Sequence, residues 1–329
     1  MQLTMNILSI LRRLKRWYKS DFVPFVKMCL YNSVCKSYIE LFGTHDKRNM
    51  RHRISLCLIF KNEALFLKEW LDYHLTIGVD HFYLYNNNST DNYLVVLKPY
   101  VEKGLVTLTE WPRPNSQFQC YKHCFDTFRR ETNWISFLDA DEFICLKHEI
   151  DINEWIKRFD KYHAINIHWL MFCTGGMLNH DYSKNVIEQY YACWSDFWKH
   201  GKCMINTRYE IGNYDTYWVH HHTYMFRRIL GIKTLLPAVN QFGYICTIDK
   251  TWGGGNNKRL NSNIQINHYF TKSWDIWSSK KKKTDVLFKN NPKSDINYFY
   301  KYEDKCVSRD YTIQRFFIRM KIKQGFIKW

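Results

Sequence analysis

Residues 134–143 read WISFLDADEF, and the fold turns on how that stretch is understood. Trp134, Ile135, Phe137 and Leu138 form a short apolar run of the kind that makes a buried strand. It leads directly into Asp139, Asp141 and Glu142, three carboxylates within four residues. Desolvating an unpaired carboxylate costs more than a fold supplies. A strand that ends in acids therefore either delivers them to a site or opens into a solvated turn or a helix cap. Oxygen ligands of this kind suit Mg²⁺ or Mn²⁺, ions that also bind the phosphates of a nucleotide.

Upstream of this stretch, strands and helices alternate. Residues 54–60 read as a strand, followed by Lys61, Asn62, Glu63 and a helix whose Leu65, Leu67, Trp70, Leu71 and His74 share a broad face. A second strand over 82–85 ends in Asn86, Asn87, Asn88, Ser89, Thr90 and Asp91, short side chains that suit a turn and a helix N-cap. A helix over 93–103 stops at Gly104, a third strand covers 105–109, and a helix over 117–130 leads into the acidic strand. This alternation predicts an α/β fold, a mostly parallel sheet flanked by helices. Ligands of such sheets bind at the carboxyl ends of the strands. Asn62, Glu63, the 86–91 turn and the 139–142 acids then share one rim.

Downstream the pattern changes. A short helix is expected over 153–159, and a strand over 164–171 ending in Phe172, Cys173, Thr174, Gly175 and Gly176. The two glycines serve either a close backbone approach to a ligand or a plain tight turn. Residues 186–192 and 203–209 read as strands with aromatic faces. His220, His221 and His222 alternate faces in a strand, so at most two could share a metal, and they read as polar or packing residues. Residues 252–257 read as a mobile glycine-rich loop. A strand over 264–270 presents His268 and Tyr269 ahead of Lys272 and Ser273. The lysines at 280–283 suit a solvated helix end or a phosphate or membrane contact. Cys120, His123 and Cys124 lack the second half of a metal-binding pair and read as packing.

Of the 329 residues, 46% are hydrophobic and 18% aromatic, enough for a sizeable core and too many for wholesale disorder. Against 48 Lys and Arg stand 31 Asp and Glu, a formal net charge of +17. That balance favours an anionic partner, whether nucleotide, acidic glycan, nucleic acid or anionic membrane. Aromatic-basic nucleic-acid modules are absent, so a basic nucleic-acid-binding protein is the minor alternative. Eleven cysteines, an odd number, point to a reducing compartment instead of a disulfide framework. Leu3, Ile7, Ile10 or Leu11, Leu14 and Trp17 recur at helical spacing among Arg12, Arg13, Lys15, Arg16 and Lys19, a basic amphipathic helix for an anionic bilayer or for packing. Its charges follow the apolar run, and no small-residue cleavage site appears, unlike an export signal; no stretch reads as a transmembrane helix. The expected division is a basic arm over 1–50, a catalytic domain over 51–277 and a basic helical extension over 278–329, whose residues 310–329 form a second amphipathic helix. The expected location is cytoplasmic, against the inner membrane face.

Four blocks in register carry a more specific signal: SLCLIFKNEALFLKEWLDYHLTIGVDHFYLYNNNSTDN, WISFLDADEF, NVIEQY and INHYFTKSW, spread over residues 54–277. Together they resemble the glycosyltransferases of the family-2-like and family-92 group, which have the GT-A fold. The resemblance implies a nucleotide-sugar donor, of UDP-sugar type, held with Mn²⁺ or Mg²⁺. It matches Asp139 and Asp141 to the DxD pair of metal-binding acids, with Asp141 the direct ligand and Asp139 nearer the ribose and the metal's waters. His268 matches the later histidine that completes metal and diphosphate binding, and Lys272 a diphosphate contact. Asn62, Glu63, Asn87 and Asp91 match the base- and ribose-binding edge. Three positions depart from the family pattern: Asn86 stands where an acid is common, Phe172 to Gly176 read FCTGG for FGSSG, and Gln189 replaces an arginine. An inverting enzyme needs a base on the acceptor side, for which Glu188 is the candidate and Asp181 and Asp196 are rivals; a structural salt bridge is the other reading of each. The implied function is sugar transfer to a glycan or lipid-linked acceptor, of lipopolysaccharide or surface-polysaccharide type. A metal-dependent nucleotide-sugar hydrolase or nucleotidyltransferase would use the same acids.

Overall fold

The computed structural model describes residues 23–198, 200–211, 225–229, 232–236, 238–247, 250–251, 259–280 and 292–327. The expected helix over 3–19, His220 to His222, the 252–257 loop and Lys281 to Lys283 lie outside the described residues. The chain divides into two compact units, Met1–His45 and Asp46–Trp329.

In the first unit, α1 (Val23–Phe42) is a helix of 20 residues within the stretch expected as a basic arm. Pro24 falls in its first turn, where the missing N–H is no loss. Tyr38 and Phe42, four residues apart, pair their rings at 5.1 Å.

The second unit is built on a large mixed sheet. Strands β1 (His52–Phe60), β2 (His81–Asn86), β3 (Val106–Glu110) and β4 (Thr132–Phe137) alternate with α2 (Ala64–Thr76), α3 (Tyr93–Glu102) and α4 (Gln117–Phe128). β1, β2 and β4 are buried almost throughout, the mark of parallel strands covered on both faces. They pair in the order β3-β2-β1-β4, all parallel. Under α4, Cys57, Tyr83, Tyr85, Tyr121, Phe137 and Ile205 fill one core cluster. Cys120 and Cys124 belong to it as well, while His123 Nδ1 pairs with the Tyr85 hydroxyl at 2.9 Å, so the CxxHC run is packing, as expected.

The second half of the sheet turns antiparallel. It comprises β5 (Glu142–Leu146), then α5 (Ile152–Ile156), β6 (Ala164–Met171), α6 (Val186–Gln189), β7 (Ala192–Cys193), β8 (Gly201–Asn206) and β9 (Ile264–His268). The order continues β4-β8-β6-β9-β5. β8 runs antiparallel to β4 and β6, β9 parallel to β6, and β5 antiparallel to β9. The chain closes with α7 (Trp274–Lys280), α8 (Ile296–Glu303), β10 (Ser308–Arg309) and α9 (Gln314–Lys323).

Two expectations are corrected. Residues 186–192 begin as a helical turn, because Asn185 and Glu188 form a reciprocal capping box and Glu69 of α2 accepts from the N–H groups of Val186 and Ile187. That polar start overrides the β-preference of the Val-Ile pair. Cys173 and Cys306 are joined by a disulfide, Cα–Cα 6.2 Å, across 133 residues of sequence. Only the packing of the chain after α8 beside the exit of β6 brings them together, which spacing cannot reveal.

Candidate active site

The acid turn is fastened on both sides. Past the end of β4, the Leu138 N–H donates to the Cys57 carbonyl (3.0 Å), carrying the pairing with β1 one residue further. The Glu142 N–H then donates to the Asp139 carbonyl (3.0 Å) and closes the turn. The Tyr269 N–H donates to the Asp141 carbonyl (2.8 Å), so the turn is pinned to the exit of β9. From α2, the Trp70 indole donates to the Glu142 carbonyl (2.9 Å) and the Tyr73 hydroxyl to that of Ile144 (2.7 Å). In the register of β9 with β5, His268 stands opposite Glu142.

Two groups converge on Asp141. His268 Nε2 lies 3.4 Å from Oδ1 and Lys272 Nζ lies 3.7 Å from Oδ2. Lys272 is buried, with its ammonium 4.5 Å from the centre of the Phe66 ring. Its φ of +54° is in the left-handed region, which side chains of this length rarely adopt. Strain of that kind clusters at functional sites.

Asp139 is held differently. Its Oδ2 pairs with Lys202 Nζ at 3.0 Å, and its Oδ1 accepts from Gln117 Nε2 and the Tyr121 hydroxyl, both at 3.2 Å. Lys202 also lies 3.5 Å from Glu142 Oε2, and both side chains are wholly buried. Because β8 runs antiparallel to β4, its first residues arrive at the acid turn. Gly201, just before Lys202, lies so close to the backbone of Ile167 in β6 that a Cβ would collide with it. Burial opposes the charge on Lys202, but Asp139 and Glu142 outweigh it and hold the ammonium above its ordinary pKa. Burial drives the Glu142 carboxyl well above the usual carboxylate range; Lys202 opposes that, while Asp139 and Asp141 add to it.

The other sequence candidates lie in different settings. Asn62, at φ +56°, accepts through Oδ1 from the Thr90 N–H (2.7 Å), and its own N–H donates to Ser89 Oγ (3.0 Å). Asp91 Oδ2 accepts from the Ala64 N–H (2.8 Å), next to Glu63, which is the N-cap residue of α2. Asn87 donates to the carbonyls of Trp111 and Arg113 (2.7 and 2.8 Å). These contacts knit the ends of β1, β2 and β3 into one edge. Glu188 turns its carboxylate back to the Asn185 N–H (3.3 Å) as part of the capping box. Asp181 accepts from Ser183 and pairs with Lys184 in its own turn, and Asp196 accepts from Ser195. Gln189 bridges that turn to the start of α6, donating to the carbonyls of Asp181 and Asn185.

Among the described residues, no three His, Cys, Asp or Glu side chains converge as metal ligands. Asp141 and His268 nevertheless fit one Mn²⁺ or Mg²⁺, ions that use one or two protein groups and take substrate phosphates and water for the rest. Asp139 meets other partners with both oxygens, Lys202 on one and Gln117 and Tyr121 on the other. The residue missed from the sequence is Lys202. Its signal was a lone lysine inside the apolar run Gly201–Asn206, since lysine is almost never fully buried without a partner.

Similar proteins are known. A glycosyltransferase family 92 protein of Oryza sativa subsp. japonica is 37% identical over 98 residues, 30% of this chain and 17% of its own length. One from Ricinus communis is 32% identical over 107 residues, 32% of this chain and 19% of the relative. The galactan beta-1,4-galactosyltransferase GALS2 of Arabidopsis thaliana is 26% identical over 137 residues, 36% of this chain and 26% of that protein. The chain thus spans about a sixth to a quarter of the length of these relatives. Among solved structures, S. aureus TarS (residues 1–349) aligns over 47% of each chain at 13% identity and a TM-score of 0.33. Residues 52–291, from the first strand of the sheet to beyond α7 and including the whole acid rim, match the sequence pattern of glycosyltransferase family 92, and to that family the chain belongs.

Proposed function

We propose that this chain is a glycosyltransferase that moves a sugar from a nucleotide-sugar donor, of UDP-sugar type, to a glycan or lipid-linked acceptor of surface-polysaccharide type. The observation that carries the reading is the meeting of Asp141, His268 and Lys272, at 3.4 and 3.7 Å, on the rim where β4 and β9 end. Asp141 and His268 would hold Mn²⁺ or Mg²⁺, which neutralises negative charge growing on the leaving diphosphate. Lys272 sets a second positive charge beside the same phosphates. Asp139, a third exposed and braced by Lys202, faces the nucleoside side, with the knitted edge of Asn62, Asn87 and Asp91 as the platform for ribose and base. We assign Glu188 to the cap of α6, which leaves the acceptor-side base open between other acids. Basic segments of the chain would hold it at an anionic membrane face, where a lipid-linked acceptor would sit.

The test is a donor panel by calorimetry, with Mn²⁺ and with chelator. UDP-galactose comes first, because the partial relative from Arabidopsis is a galactan galactosyltransferase. One nucleotide sugar should bind in a metal-dependent way. Asp141→Ala should abolish that binding and lower transfer roughly 10²–10³-fold with the fold intact, and His268→Ala should do so less severely. Donor binding indifferent to chelator, or full transfer by a folded Asp141→Ala protein, would refute the site. Donor hydrolysis without transfer to any glycan would favour the hydrolase instead.

A further inference from the structure

We infer that Lys202 is a positioning residue for donor binding, the buried strut that fixes Asp139 and Glu142 beside His268. The inference rests on the function proposed above. Lys202 Nζ bridges Asp139 Oδ2 (3.0 Å) and Glu142 Oε2 (3.5 Å), with both the ammonium and the Glu142 carboxylate wholly buried. Glu142 has two further neighbours. Its Oε2 accepts the Asp139 backbone N–H at 3.1 Å, and its Oε1 lies 3.9 Å from His268 Nδ1. A histidine whose one nitrogen faces a metal is oriented by what its other nitrogen faces, and a carboxylate there is the common partner. Asp139 and Glu142 therefore both refer to one ammonium, and His268 Nδ1 faces Glu142 Oε1 across 3.9 Å with no hydrogen bond between them. The ammonium reaches the two acids because β8 enters the sheet antiparallel, at the only kind of residue, Gly201, that lets β6 pass so close. The Trp169 ring, 5.9 Å from Nζ and 5.0 Å from the His268 ring, closes the same compartment.

A buried lysine could serve charge balance alone, so the test separates charge from position. Lys202→Arg keeps the charge but not the compact geometry. Lys202→Met with Glu142→Gln removes the ammonium while sparing the core an unpaired acid. Each is followed by thermal unfolding, by calorimetric binding of UDP with and without Mn²⁺, and by kcat and KM for the donor. A positioning role predicts folded variants with melting temperatures near wild type, UDP binding weakened roughly 10–100-fold in Mn²⁺, and a raised donor KM. Wild-type UDP affinity in either folded variant would overturn the inference. So would failure of both to fold, which would make Lys202 a folding residue. Asp141→Ala, run alongside, keeps the two readings apart. If it binds UDP normally, the proposed site itself is wrong; if it loses UDP while the Lys202 variants keep it, only the strut is.

Discussion

Both carboxylate oxygens of Glu69 accept backbone N–H groups at the start of α6, from Val186 at 2.7 Å and Ile187 at 3.0 Å. Hydrogen bonds to a carboxylate favour its charged form, and so do the nearby Lys272 and Lys321. Burial outweighs them and raises the pKa from 4.5 to about 7. The sign for stability follows. Below 4.5 the group is protonated folded or unfolded. Between 4.5 and about 7 the folded state keeps a proton that the unfolded chain has released, so rising pH favours unfolding. The contribution is fully present below 4.5 and lost by about 7. The melting temperature of wild type minus that of Glu69→Gln should therefore fall between pH 5 and pH 8. A difference that stays constant across this range would show that Glu69 titrates normally. Glu69 lay in the matched sequence block without a role, because nothing local tells that α6 starts over it.

At the scale of elements, the exits of β6 and β9 are tied to α8. Glu303 accepts from the Thr174 N–H (3.1 Å) and hydroxyl (2.7 Å), and from the Thr271 hydroxyl (2.8 Å), and the Cys173–Cys306 disulfide closes beside it. Thr271 immediately precedes Lys272, so this clamp also steadies the residue proposed above to face the diphosphate. Cys306→Ser should cost roughly 2–4 kcal/mol of stability, read from denaturant unfolding, and lower turnover more than donor binding. Equal unfolding of variant and wild type under oxidising conditions would mean the bond contributes nothing. The parallel half of the sheet was legible because apolar runs of strand length alternate with helix-period segments and acids or amides stand at the strand ends. The antiparallel half was not, because strand direction is set by non-local pairing. That one hidden fact, the direction of β8, conceals Lys202, while the DADEF turn and the His268–Lys272 block disclose the residues around it. The reading of 186–192 as a strand failed for a local reason, a capping box in Asn185 and Glu188 that outranks two β-branched residues.

For the whole molecule, the question raised by a net charge of +17 is which basic residues face outward for a partner. Those of α9 all donate to groups of the protein itself, although Arg315 and Lys323 stay exposed. Arg315 donates to the carbonyls of Leu146 and Glu149 (2.7 and 2.9 Å), Arg319 to that of Ile150 (2.7 Å), Lys321 to Asn185 Oδ1 (3.2 Å) and Lys323 to the Thr76 carbonyl (3.5 Å). Phe316 and Met320 are buried, and the helix packs on α2 and α6. The C-terminal amphipathic pattern is thus that of a docked helix. Among the described residues, no helix is long and apolar enough to cross a membrane. The membrane contact proposed above would fall to Arg12, Arg13, Lys15, Arg16 and Lys19 of the N-terminal amphipathic pattern. Each would contribute about 1 kcal/mol near an anionic surface, and salt would screen much of it. Vesicle co-sedimentation checks this: full-length protein should bind anionic vesicles at low salt, and deletion of the first 20 residues or high salt should release it. Arg315→Gln with Arg319→Gln should leave vesicle binding unchanged while lowering the melting temperature, because it strips carbonyl partners from a packed helix. Equal binding to neutral and anionic vesicles, or no loss on deletion, would refute an electrostatic anchor at the N-terminus. Loss on the α9 substitutions, with the deletion silent, would move the membrane contact to the C-terminal helix after all.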